Sequence, residues 1–168
     1  MEKKDLINIL SEMLVPIGFK RKGNYWVING DEITKMVNLQ KSQYGNFFYI
    51  NYDYILKALP LVGLKSHVFG GVTFSTKDEN LRLHKLLDLD SDISDKERTE
   101  ALKEILQNKL VSKIQYINTE EDLSNELKKH PQLQLSLTLA VKRHLNLPLP
   151  DVAENQEASS IIRRYVPE

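Results

Sequence analysis

Tyr25-Trp26-Val27-Ile28-Asn29-Gly30, followed by Asp31-Glu32-Ile33-Thr34-Lys35-Met36-Val37-Asn38-Leu39-Gln40, decides the fold class of this chain. Two runs rich in β-branched and aromatic residues flank Asn29-Gly30, a dipeptide suited to positive φ at both centres of a two-residue hairpin turn. In that register Ile28 faces Asp31 and Trp26 faces Ile33. Trp26, Ile33, Val37 and Leu39 then share one face of the sheet. A second loop, Gln43-Tyr44-Gly45-Asn46, leads into Phe47 to Leu56, which alternates again. Phe48, Ile50, Tyr52, Tyr54 and Leu56 form the core-facing set, and Phe47, Tyr49, Asn51 and Asp53 the other. The stretch predicts an antiparallel meander with one apolar face.

Working outward, residues 2–15 carry Leu6, Leu10, Met13 and Leu14 at helical spacing, and Pro16 and Gly18 end that helix. It is the nearest element able to cover the meander. Downstream, residues 57–65 read as a linker. His67 to Phe74 reads as a fourth strand, in which Gly70-Gly71 marks a bulge or a close backbone approach. Residues 79–89 predict a short helix. Ser94-x-x-Glu97 is a capping box that opens a helix to about Ile114, and Thr119 caps another that ends at His130-Pro131. Residues 133–145 fit a strand or a helix, and their length favours the helix. The fold class is therefore α+β: a meander of three to four strands, an N-terminal helix and a helical C-terminal half. Residues 1–147 are expected to form one domain. Residues 148–168 are expected to form a polar, partly flexible tail in which Ile161, Ile162 and Tyr165 could dock.

Three segments carry a resemblance. Gly18-Phe19-Lys20-Arg21-Lys22-Gly23-Asn24, Val37-Asn38-Leu39-Gln40-Lys41-Ser42 and Phe48-Tyr49-Ile50-Asn51 resemble a bacterial domain-of-unknown-function family, number 4304. Leu86-Leu87-Asp88-Leu89, Arg98 and the helix that follows are similar as well. The resemblance runs from the first helix to about Pro131. It implies a compact bacterial α+β domain and brings no activity or catalytic residue with it.

Composition narrows the function classes. The chain has no cysteine, which removes disulfides, thiolate metal sites and cysteine nucleophiles. Together with an N-terminus that lacks a signal-like apolar block, this predicts a cytoplasmic protein. Lys plus Arg equals Asp plus Glu at 23 each, which argues against a nucleic-acid binder. No apolar run approaches the roughly 20 residues of a membrane span.

Individual motifs yield no chemistry. Asp88-Leu89-Asp90-Ser91-Asp92 imitates the start of a calcium loop, but Ile93 and Thr99 occupy the positions that need Gly and Glu. It reads as a solvated acidic turn before a capped helix. His67, His84, His130 and His144 show no i, i+4 metal spacing and no local orienting partner. Lys20-Arg21-Lys22 reads as a charged sheet edge that resists pairing. Gly70-Gly71 lacks the Lys-Ser/Thr of a phosphate loop, and no nucleophile elbow occurs. No catalytic residue, metal ligand or cofactor is predicted.

What remains is a polar strip on the second sheet face: Tyr25, Thr34, Met36, Asn38, Gln40, Tyr49, Asn51 and Asp53. The second loop sets Asn38 opposite Asn51 and Gln40 opposite Tyr49. These four are the candidate ligand- or partner-binding residues, as amides and a tyrosine suit hydrogen bonding to a partner. The ordinary alternative is a solvated sheet face or a helix-covered one. The expected function is a non-enzymatic protein-binding module, of the kind that includes toxin-neutralising immunity proteins. It would use this face or the loop Tyr44-Gly45-Asn46-Phe47. The alternative is an enzyme or small-ligand binder lined by the same face. That alternative requires a concave pocket there.

Overall fold

The structure, a computed structural model, describes residues 1–149. The expected tail, with Ile161, Ile162 and Tyr165, lies outside the described residues except for Pro148 and Leu149. The order of elements is helix α1 (Lys3–Leu14), strands β1 (Lys20–Lys22), β2 (Tyr25–Asn29), β3 (Ile33–Lys41), β4 (Phe48–Leu56) and β5 (Val68–Gly71), then helices. The helices are α2 (Lys77–Leu87), α3 (Asp95–Leu106), α4 (Ser112–Tyr116), α5 (Glu120–Lys129) and α6 (Leu139–His144). A π-helical turn, Gln107–Val111, joins α3 to α4, and a 3-10 segment, Pro131–Ser136, follows α5. The class is α+β as expected, with residues 133–145 divided between the 3-10 segment and α6.

The sheet is an antiparallel meander in the order β1-β2-β3-β4-β5. It has five strands rather than three or four, because Lys20–Lys22 pairs with β2 as a short, fully exposed edge strand. Three basic side chains at such an edge discourage pairing with another chain.

The two-residue turn expected at Asn29-Gly30 does not form. Asn29 pairs with Thr34, Ile28 with Lys35 and Trp26 with Val37, so the loop is Gly30 to Ile33. Neither Asn29 nor Gly30 has positive φ. Gly30 N–H donates to Ile33 O at 2.9 Å, and the Asn29 side chain accepts from Thr34 Oγ1 at 2.9 Å. The two-residue loop sits one turn earlier, between Lys22 and Tyr25, where Gly23 takes φ 62°. That turn starts β2 at Tyr25. Pairing around Asn29-Gly30 would then have matched β2 to residues 31–34 alone. The longer loop also carries Glu32 to the N-terminus of α5, where its carboxylate accepts from Glu120 N–H at 2.8 Å. The partner of Trp26 moves from Ile33 to Val37, an even number of residues, so every side chain keeps its expected face.

Trp26, Ile33, Val37, Leu39, Ile50 and Tyr52 are all buried on the core face. They join Leu6, Ile9, Leu10 and Leu14 of α1 and apolar residues of α2 to α6 in one hydrophobic cluster. Polar ties run from the helices to this same face. Trp26 Nε1 donates to Ser11 Oγ at 3.1 Å. Lys35 Nζ, buried, donates to Ile114 O at 2.8 Å and Asn118 Oδ1 at 2.9 Å. Burial pulls the Lys35 ammonium below the usual lysine value, against the pull of Asp122.

Arg98 is buried although no carboxylate lies within salt-bridge distance among the described residues. Its guanidinium donates to Leu86 O at 2.8 Å, Asp88 O at 2.6 Å and Ser91 O at 3.0 Å. It thereby supplies donors to carbonyls that the end of α2 leaves without intrahelical partners. Ser94 caps α3 by accepting from Glu97 N–H at 3.3 Å, without the expected return bond from Glu97. Thr119 and Asp122 form a complete box at α5. No described helix is long and apolar enough to cross a membrane.

Candidate functional site

The helices pack on the core face, and among the described residues the opposite face of the sheet is open. Register builds that face in rows. Tyr25, Asn38, Asn51 and Gly71 form one row across four strands, and Val27, Met36, Asp53 and Phe69 the next. Gln40 lies opposite Tyr49, and Asn38 opposite Asn51, as the sequence predicted. Tyr25, Gln40, Tyr49 and Phe69 are exposed, whereas Asn51 and Asp53, flanked by strands on both sides, are buried.

The structure brings three of the four candidate residues into contact. Asn51 Nδ2 donates to Asn38 Oδ1 at 3.2 Å and to Gln40 Oε1 at 3.0 Å, which uses both of its hydrogens. The amide nitrogens of Asn38 and Gln40 and the hydroxyl of Tyr49 have no partner among the described residues. Gly71, with no side chain, leaves the Asn51 end of the row open. A Cβ there would lie 3.5 Å from Asn51 Oδ1. Tyr49 packs edge-on against Phe47, which stacks on His84 with ring centroids 4.0 Å apart. Phe47 is therefore anchored, and Tyr44 is the exposed aromatic residue of that loop.

Asp53 belongs to the same face. Ser66 Oγ donates to its Oδ1 at 2.6 Å. Burial pushes the Asp53 carboxyl above the usual aspartate value, while Ser66 and the charge of Lys65 draw it back. Among the described residues no second acid, base or nucleophile bonds to this pair.

The histidines have structural places. His67 Nδ1 accepts from Leu56 N–H at 2.9 Å, and Nε2 lies 3.2 Å from Pro60 O. The ring is thus a clamp between β4 and the loop after it. His130 meets Glu126 at 3.2 Å, and His144 meets Glu120 at 2.6 Å. Among the described residues no group of three or more His, Asp or Glu side chains is placed to hold a metal.

Concavity lies elsewhere. The largest of four cavities among the described residues, about 920 Å³, runs along β5 and the segment to Ser75, faced by the π turn, α4, the end of α5 and the 3-10 segment. Three smaller ones lie between α2 and α3, beside His144, and under the loop Leu59–Leu64. None of the four is lined by Asn38, Gln40, Tyr49 or Asn51. Sequence reasoning found the open face through its alternation. It missed the cleft, whose walls come from segments some forty to sixty residues apart.

Residues 10–130 match the profile of a family described as a domain of unknown function, DUF4304. The chain belongs to that family. The match covers the end of α1, all five strands of this DUF4304 protein and helices α2 through α5. No curated protein and no solved structure matches the chain.

Proposed function

We propose that this DUF4304 protein is a non-enzymatic protein-binding module, which uses the open sheet face around Asn38, Gln40, Tyr49 and Asn51. The supporting observation is the form of that face. It is uncovered among the described residues, rimmed by the exposed rings of Tyr25, Tyr49 and Phe69, and fixed by amides bonded to one another. Aromatic residues around a preorganised polar centre suit a protein interface, since they bury large area at small entropic cost. The enzyme or small-ligand reading needs a concave pocket at these residues, and none of the four cavities provides one. Lack of cysteine suits the bacterial cytoplasm as the setting, and stoichiometric neutralisation of a toxin is one role such a module could fill.

The test is native co-purification from the source cells with parent, Tyr49→Glu and surface-control Leu81→Glu proteins. A stoichiometric partner retained by the parent and the control but lost with Tyr49→Glu is expected. No stoichiometric partner, or equal retention by all three, would overturn the reading.

A further inference from the structure

The outer edge of β5 is a second surface with a specific form. Val72 N–H donates to Ile50 O at 3.0 Å, which makes Asn51–Gly71 a non-hydrogen-bonded pair in the antiparallel ladder. By alternation Gly70 turns its N–H and C=O toward Tyr52, and Phe69 and Gly71 turn theirs away from the sheet. Those four main-chain groups face the 920 Å³ cleft and have no partner among the described residues. Such an edge is a template for one more strand.

The opposite wall is cationic. Lys109 and Lys113 project from the π turn and α4, with ammonium groups 4.8 Å from the centroid of Phe74 and 5.4 Å from that of Tyr52. Lys129 and His130 add to the same wall. Its one carboxylate, Glu126, is bridged by Lys113 at 2.7 Å and His130 at 3.2 Å. The chain as a whole is neutral, so this concentration of positive charge is local. The π turn resets the helix beside Lys109, a distortion often found at binding sites. Gly70 keeps the floor low: a Cβ there would come within 2.6 Å of the Tyr52 ring.

We propose that this cleft binds an extended acidic peptide segment, which adds as a sixth antiparallel or parallel strand along β5. Main-chain groups of Phe69 and Gly71 pair with the peptide backbone. Acidic side chains on the residues flanking that pairing point to the lysine wall, and the alternate side chains lie beside Phe69 on the open face. A peptide is favoured over another polyanion because donors and acceptors recur along the edge at the two-residue repeat of a strand. The proposal stands on the edge and the wall, and it is independent of the open-face reading.

The experiment titrates the full chain with acetylated, amidated Val-Glu-Val-Glu-Val-Glu, followed by calorimetry and amide NMR. Expected are shifts and exchange protection at Phe69 and Gly71, and at least tenfold weaker binding by the exposed-surface variant Lys109→Glu/Lys129→Glu. A peptide N-methylated on alternate amides, in either register, is expected to lose binding in the register whose amides face β5. Tyr49→Glu should leave peptide binding unchanged, which separates failure here from failure of the open-face reading. Four results would overturn the proposal: no binding, equal binding by both N-methylated registers, equal binding of an oligo-dT of the same charge, or Phe69 and Gly71 amides already protected before peptide is added. The last would mean that another part of this chain or a second copy already fills the edge.

Discussion

Replacing Arg98 by methionine should destabilise the fold without unmaking it. Methionine keeps much of the side-chain volume but cannot donate. The guanidinium makes three short bonds to main-chain carbonyls, 2.6 Å to Asp88, 2.8 Å to Leu86 and 3.0 Å to Ser91, with longer contacts to Lys85 and Ile93. Removing the donors strands Leu86 O, at a cost of about 1–3 kcal/mol for a buried unsatisfied group, whereas Asp88 O keeps Ser91 N–H at 3.2 Å and Ser91 Oγ at 2.9 Å. Against this, methionine has no charge to desolvate, and the buried guanidinium has no carboxylate to offset that cost. The net expectation is a loss of about 1–2 kcal/mol. For a chain of this length that is a fall in Tm of about 2–8 °C.

Urea titration by circular dichroism, with the slope unchanged, and a thermal melt would measure the loss. Arg98→Lys is the informative companion. It keeps the charge near the α2 C-terminus, where a cation is favourable, but one ammonium cannot span from the Leu86 and Asp88 carbonyls to Ser91 as the planar fork does. Lysine should fall between arginine and methionine. An Arg98→Met protein as stable as the parent would refute the view that Arg98 is a cap for α2. Full rescue by lysine would assign the effect to charge rather than to the fork.

Four further substitutions test local accounts of the sheet. Tyr54 is buried with its hydroxyl unbonded, and burial pushes its phenol far up, so Tyr54→Phe should gain about 1 kcal/mol in a urea titration; a loss would mean the hydroxyl has a partner. Asp53 has a folded pKa above its ordinary 3.8, so the folded state holds the proton more tightly. Its contribution is therefore present below the unfolded value and is lost as pH rises through the folded one. Melting temperature against pH should show that decline in the parent and a flatter curve in Asp53→Asn, which keeps the oxygen that Ser66 contacts; parallel curves would contradict it. Gly70→Ala should cost about 1–3 kcal/mol because its Cβ would press on Tyr52 at 2.5 Å, whereas Gly71→Ala, with 3.5 Å to Asn51 Oδ1, should change stability by less than about 1 kcal/mol. Equal effects of the two would show that Tyr52 yields freely.

The contrast between the two surfaces explains what was legible in the sequence. Faces are encoded by alternation, and alternation survives error: the hairpin moved from Asn29-Gly30 to Gly30–Ile33, yet Asn38, Asn51, Gln40 and Tyr49 kept their positions because the shift was even. Turn chemistry was the weaker guide. Two glycine-containing turns lie seven residues apart and both form, and the longer one carries Glu32 to α5, a contact 88 residues distant. The segments that carry the family resemblance divide in the same way. Gly18 and Gly23 take positive φ at turns, Phe19 is buried, and Arg98 holds the end of α2, so these residues serve the fold. Asn38, Gln40 and Asn51 bond chiefly to one another, and their network anchors no helix. They therefore remain the side chains best placed for recognition. The β5 edge had no comparable signal. Its recognising groups are main-chain amides and carbonyls, which every residue but proline supplies in full, and its lysines sit on helices that sequence spacing does not connect to the sheet. A site built from backbone on one wall and from distant helices on the other has no residue-type signature. The alternation of β4 could lead to the open face, but only the folded chain exposes the edge beside it.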